Sequence, residues 1–293
     1  MRIWVMAARP RTLPAAIAPV LVGTAAAYYW QGHLPRWGAF VAALIGSIFI
    51  QIGTNLANDY SDAKRGADTA DRLGPVRVTS SGLVTPARVL RATWIAFAVA
   101  VAAGIYLAAV AGIVILLIGA VSIVAGVLYT GGPRPYGYAG LGEVFVFLFF
   151  GLVAVNGSYY VQVERLDTLP LGLSIAVGFL ATAILVVNNV RDLETDRRAG
   201  KQTLAVRMGR QNAITLYRLL MVGAFVVLPL ALWAGEASAW PMIGWLAAPL
   251  ALRPLRIVGS RTDGPALNGA LAGTGAVLGI FSLLVTVGLV IAA

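Results

Sequence analysis

Apolar stretches long enough to cross a ~30 Å hydrocarbon layer recur along nearly the whole chain, separated by short polar segments. Lipid offers the backbone no hydrogen-bond partners, so these stretches are expected to be helices that satisfy their own peptide groups. The pattern predicts nine spans, at 12–30, 38–57, 89–109, 112–130, 141–161, 169–190, 213–234, 238–252 and 264–291. The fold class is therefore all-α, a polytopic membrane bundle forming a single transmembrane domain over 1–293. Arg9-Pro10-Arg11 stands immediately before the first long apolar run, which reads as a spanning helix rather than a cleaved signal.

Composition supports this reading: 59% of the 293 residues are hydrophobic, 12% are charged, and the mean hydropathy is +0.83. No cysteine is present, which excludes disulfides, thiolate chemistry and Cys-based metal sites. The formal charge of +10 lies between spans rather than in one polar domain. That distribution speaks against nucleic acid and for the lipid bilayer and an anionic substrate as partners. With the N-terminus in the cytoplasm, every one of the 22 Lys and Arg residues except Arg36 and Arg165 falls on the cytoplasmic side. A multi-pass protein of the cell membrane is expected, with its N-terminus and active-site loops cytoplasmic.

Against this apolar background the acidic residues are concentrated. Seven of twelve lie in two segments: Asp59, Asp62, Asp68 and Asp71 in "NLANDYSDAKRGADTADR", and Asp192, Glu194 and Asp196 in "NNVRDLETDRRAGKQTLAVRMGR". Asn55 precedes Asp59 by four residues as Asn188 precedes Asp192, and Asp62 and Asp196 follow at helical spacing. The echo suggests two pseudo-repeat halves, 12–130 and 141–252, followed by a last helix at 264–291.

Each Asp pair projects from one helical face, where two carboxylates repel unless a cation lies between them. Hard oxygen ligands without Cys, and with the single His33 in an outer loop, favour Mg²⁺. Lys64, Arg65, Arg72, Arg77, Arg197, Arg198 and Lys201 are interleaved with the acids and supply phosphate partners. A diphosphate head at the membrane edge with apolar helices behind it suits a polyprenyl diphosphate. Cations would stabilise the departing diphosphate while the apolar interior shields an allylic carbocation. Ordinary juxtamembrane loops also carry mixed charge, but paired asparagines beside both clusters on one membrane face argue against that. A cation channel or transporter would place ionisable groups at mid-membrane, where these spans have almost none.

The segments "NDYSDAKRGAD" and "RDLETD" resemble the paired Asp-rich motifs of the UbiA superfamily of intramembrane prenyltransferases. The resemblance implies a nine-helix bundle around a central cavity, Mg²⁺ dependence and prenyl transfer to an aromatic acceptor. "ARPRTLPAAIAPVLVGT", "YTGGPRPYGYAGLGEVFVFLFFG" and the full acidic segments are further similar to the branch that prenylates 1,4-dihydroxy-2-naphthoate. That branch implies loss of diphosphate and CO₂, giving demethylmenaquinone; 4-hydroxybenzoate, homogentisate, haem and chlorophyllide are the alternative acceptors.

By the same resemblance Asp59, Asp62, Asp192 and Asp196 are the catalytic metal ligands, with Asp68 as a further ligand and Asp71 as a candidate. The third Asp of the superfamily motif falls here on Gly66. Asn55, Asn58, Lys64, Arg72, Arg77, Asn188 and Lys201 would bind the diphosphate. Arg134 and Tyr136, with Tyr138, would meet the naphthoate, or else form a rigid Gly/Pro turn with interfacial tyrosines. Glu143 would either orient the acceptor or simply favour a helix N-terminus through its dipole.

Overall fold

The computed structural model describes residues 2–66 and 73–293. The expected ligands Asp68 and Asp71 and the expected phosphate partner Arg72 lie outside the described residues.

Among the described residues every regular element is helical. In chain order they are α1 (Arg2–Ala8), α2 (Pro14–Gln31), α3 (Trp37–Lys64), α4 (Pro86–Ala111), α5 (Ile113–Leu128), α6 (Gly142–Val163), α7 (Thr168–Arg198), α8 (Leu204–Met208), α9 (Arg210–Ala234), α10 (Ala248–Ser260) and α11 (Gly264–Ile291). Seven segments are long and apolar enough to cross a membrane, with α10 counted together with the 3₁₀ turn Trp240–Ala247 before it. The bent pair Ile3–Thr12 and Pro14–Gln31 makes an eighth, and α5 is a shorter apolar helix. All nine predicted spans therefore have a helical counterpart, although two of them fall short of an unbroken long span. The 52° bend before α2 has a local cause: Arg9 adopts a left-handed conformation (φ 55°), and Pro10 and Pro14 interrupt the backbone ladder.

In lipid, helix association depends on close packing, because burying apolar groups from other apolar groups gains little. Helix α7 forms the centre: 72% of its most apolar window is buried, and Leu173, Val177, Leu180 and Ile184 join the main core. Small residues permit close approach. A Cβ on Gly151 of α6 would stand 2.6 Å from Gly178 Cα of α7, and one on Gly23 would stand 2.1 Å from Val155 O. Around Gly151, α6 widens into a π-helical stretch, Phe147–Val153, a form common at functional sites. That stretch turns Phe149, Phe150 and Val153 toward the central cavity.

The described acids of the two segments, Asp59, Asp62, Asp192, Glu194 and Asp196, lie on helices rather than in loops. Helices α3 and α7 run past the predicted span ends at 57 and 190, to Lys64 and Arg198. Nothing in "NDYSDAK" or "RDLETDRR" breaks a helix, and each helix stops just before a left-handed glycine, Gly66 (φ 64°) or Gly200 (φ 73°). Helix α3, about 42 Å long at 1.5 Å per residue, therefore carries its carboxylates on its final turns.

Candidate active site

A cavity of about 350 Å³ opens between the polar ends of α3 and α7 and continues into the bundle. Its polar end is lined by Asn58, Asp62, Arg77, Asn188, Asp192 and Lys201, and its depth by groups such as Ala43, Leu107 and Ile115. One chamber thus joins a charged mouth to an apolar interior.

On α3, Asn58 and Asp62 stand one turn apart. Asp62 is 1% exposed; its Oδ1 accepts from the Tyr138 hydroxyl at 2.6 Å and its Oδ2 from Arg77 Nη2 at 2.9 Å. Lys201 Nζ is 3.6 Å from Asp62 Oδ1 and 4.8 Å from the Tyr138 ring centroid. Asn58 Oδ1 accepts from Thr130 Oγ1 at 2.9 Å. Three chain segments, carrying Arg77, Tyr138 and Lys201, therefore converge on the Asp62 carboxylate.

On α7, Asn188, Asp192 and Asp196 form a row at successive turns and all line the cavity. Arg191 grips Asp192 with Nε at 2.8 Å and Nη2 at 2.5 Å, and also donates to Asn188 Oδ1 and Asn268 Oδ1, each at 2.8 Å. The cavity-facing residues of the two helices share one spacing, Asn58 and Asp62 on α3 and Asn188 and Asp192 on α7, and Asn55 lines the cavity as well.

Beside these groups runs an aromatic wall. Tyr136 stacks on Phe145 with centroids 4.0 Å apart, Phe149 continues the column, and Tyr129 meets Tyr136 edge-on at 5.4 Å. Burial pushes the Tyr136 phenol above its ordinary value, so it is a neutral hydroxyl at physiological pH. Behind the wall, Glu143 Oε1 accepts from Asn189 Nδ2 at 2.8 Å. Glu143 is buried, and its Oε2 has no protein hydrogen-bond partner. Asn189 itself lines the cavity.

Several expected site residues are placed elsewhere. Asp59 does not line the cavity; both its carboxylate oxygens accept backbone N–H groups, Oδ2 from Val78 and Oδ1 from Thr79, each at 3.0 Å. Asn55 lines the cavity but donates to Ala8 O at 3.0 Å and Thr12 Oγ1 at 3.3 Å, holding the segment between α1 and α2. Lys64 and Arg134 are exposed and outside the cavity, because their positions on the last turn of α3 and in the Gly/Pro turn point outward. Glu143 reaches the cavity only through Asn189. Three contributors escaped the sequence reading, Thr130, Asn189 and Arg191, and Tyr138, expected at the naphthoate, donates its hydroxyl to Asp62. Arg191 sits beside Asp192 in "NNVRD", but adjacency alone did not mark it as that residue's ion-pair partner.

The donor set fits Mg²⁺. Among the described residues no group of three or more His, Cys, Asp or Glu is close enough to hold a metal by itself. The cavity instead offers Asp62 on one side and Asp192 with Asp196 on the other, beside the amide oxygens of Asn58 and Asn188. Mg²⁺ characteristically takes one or two carboxylates and completes its shell with water and substrate phosphate.

Comparison with known proteins identifies the family. The model of the UbiA prenyltransferase family matches residues 16–266. The chain is 45% identical to the 1,4-dihydroxy-2-naphthoate octaprenyltransferase of Mycobacterium tuberculosis, over 96% of this chain and 94% of that one. It is 41% identical to the enzyme of the same name from Escherichia coli, over 92% and 89%. Its fold is similar to a UbiA homolog from Archaeoglobus fulgidus bound to GPP and Mg²⁺ (TM-score 0.70, 18% identity, covering 98% and 99%). An apo UbiA homolog from Aeropyrum pernix K1 superposes with TM-score 0.71 at 12% identity, covering 95% and 97%. Two acidic helix ends facing one cavity, a full-length helical bundle of this fold and the match across 16–266 lead to one conclusion: the chain belongs to the UbiA prenyltransferase family.

Proposed function

We propose that this protein transfers a polyprenyl chain from polyprenyl diphosphate to 1,4-dihydroxy-2-naphthoate, with loss of diphosphate and CO₂. The observation that carries this is the meeting of Asp62 and Asp192, from two helices, at the charged mouth of a cavity whose depth is apolar. The names of the relatives at 41–45% identity specify the acceptor.

Asp62, Asp192 and Asp196 would hold Mg²⁺, with Asn58 and Asn188 beside them. The metal supplies charge that stabilises the diphosphate as it departs. Lys201 and Arg77 bind the diphosphate oxygens directly, releasing part of their hold on Asp62 as they do so. The allylic C–O bond breaks and its electron pair leaves with the diphosphate. Phe145, Phe149 and the apolar helices exclude water from the allylic cation.

The naphthoate ring lies against Tyr136 and Phe145, and its ring carbon bearing the carboxylate forms the new C–C bond. The C–CO₂ bond then breaks, and its electron pair restores aromaticity. No proton leaves that ring carbon, so this step asks for no strong base. Asn189, oriented by Glu143, is placed to hydrogen-bond a ring hydroxyl. The distribution of basic residues supports a reaction on the cytoplasmic side of the cell membrane.

The test is a product assay with purified protein, labelled polyprenyl diphosphate and a panel of aromatic acceptors, with and without Mg²⁺. Mg²⁺-dependent prenylated naphthohydroquinone, diphosphate and CO₂ in equal amounts are expected. Transfer to 4-hydroxybenzoate but not to the naphthoate would overturn the acceptor; no transfer to any acceptor would overturn the reaction.

A further inference from the structure

The first acidic motif uses two faces of α3. Asn58 and Asp62 face the cavity, whereas Asp59 is 2% exposed and turned onto the segment at Val78 and Thr79. Its Oδ2 and Oδ1 accept the successive backbone N–H groups of Val78 and Thr79, both at 3.0 Å. Val78 is fully buried against Leu56, Val84 and Val89, which fixes this short loop at a second point. The residue just before this clamp is Arg77, whose Nη2 reaches Asp62 at 2.9 Å and which lines the cavity.

We infer that Asp59 is a positioning residue: by clamping the backbone at Val78 and Thr79 it aims Arg77 at the diphosphate subsite. This rests on the proposed reaction for the identity of the diphosphate, but not for the clamp. The physical case is that a carboxylate with each oxygen committed to a buried backbone donor is occupied, and that breaking such bonds leaves two amides without partners. A loop held at one residue sets the direction of its neighbour. Arginine profits most, because its planar fork recognises phosphate only from a defined approach.

The experiment compares wild type with Asp59→Asn, Arg77→Ala, the double variant and Asp62→Asn. Hydrogen exchange should quicken at the Val78 and Thr79 amides in Asp59→Asn while the transmembrane core stays protected. The Kd for inorganic diphosphate with Mg²⁺, and the KM for polyprenyl diphosphate, should rise about tenfold or more in both Asp59→Asn and Arg77→Ala, the scale of one lost charge-assisted hydrogen bond. The double variant should be no worse than Arg77→Ala alone. The Mg²⁺ concentration for half-maximal rate should change in Asp62→Asn and stay put in Asp59→Asn. Val78→Ala, which loosens the loop with Asp59 intact, should give the same diphosphate defect and covers the case in which Asp59→Asn fails to fold. Unchanged exchange at Val78 and Thr79, multiplicative losses in the double variant, or a Mg²⁺ requirement shifted as in Asp62→Asn would overturn the inference. The exchange result stands whichever acceptor the protein uses, so it separates failure of the clamp from failure of the proposed reaction.

Discussion

Lys201, in the turn after α7, lies 3.6 Å from Asp62 on the last turns of α3, directly over the Tyr138 ring. The link joins the two acidic helix ends through one cation, at the place where a diphosphate would have to enter between them. Replacing Lys201 by Gln keeps most of its length and removes the charge. The expected result is a 10- to 100-fold lower kcat/KM, about 1.5–3 kcal/mol, carried mainly by KM for the polyprenyl diphosphate. Steady-state kinetics at saturating acceptor check this.

Asp192 and Arg191 form a buried ion pair, with side chains 7% and 1% exposed. Asp192→Ala would therefore leave an uncompensated buried guanidinium and is expected to destabilise the protein by about 3–5 kcal/mol as well as abolish turnover. Asp192→Asn, which keeps an acceptor oxygen for Arg191, should lose turnover with a smaller fall in thermal midpoint. Parallel detergent thermal-shift and activity measurements separate the two effects; equal stability of both variants would contradict the ion-pair assignment.

Gly151 and Gly178 bring the π-helical stretch of α6 against α7 with no room for a side chain, since the nearest obstacles to a Cβ at 151 are backbone atoms. Gly151→Ala should cost about 1–3 kcal/mol and displace Phe149 and Phe150 from the cavity wall. Gly157, whose added Cβ would meet nothing within 4 Å, is the control, and Gly157→Ala should be tolerated. Thermal midpoints of the two variants give the comparison.

In the proposed reaction Glu143 and Asn189, joined by a hydrogen bond at 2.8 Å, act together on the acceptor side. Glu143→Gln keeps the shape but makes the pairing with Asn189 ambiguous, and should raise KM for the naphthoate about 10-fold, the scale of one hydrogen bond lost to a substrate hydroxyl, while leaving KM for the polyprenyl diphosphate unchanged. An effect on the diphosphate substrate alone would place Glu143 in the wrong half of the site.

The chain has no cysteine, so single cysteines report membrane sidedness cleanly. His33→Cys, in the loop before α3, should be labelled by an impermeant maleimide from outside intact cells. Arg134→Cys, exposed in the turn before Tyr136, should be labelled only after the membrane is opened. The reverse pattern would invert the orientation.

Much of this molecule is legible in its residues because the membrane imposes a one-dimensional rule. Any stretch of about 20 apolar residues must close its own hydrogen bonds, so the long helices among the described residues could be placed from hydropathy, and scarce charges such as Asp62 and Asp192 stood out against them. Chain order, however, does not say which side of a helix faces inward. Asn55, Asn58, Asp59 and Asp62 are equivalent by spacing, and Asp59 looked as good a ligand as Asp62. Packing separated them: the loop at Val78 covers one face of α3 and takes Asp59, while the approach of α7 leaves Asp62 open to the cavity. Arg134 and Lys64 likewise had the right charge and the right neighbours in sequence but point outward. Hydropathy is a property of each segment alone, whereas a binding site depends on the distances and directions between segments that only their mutual packing fixes.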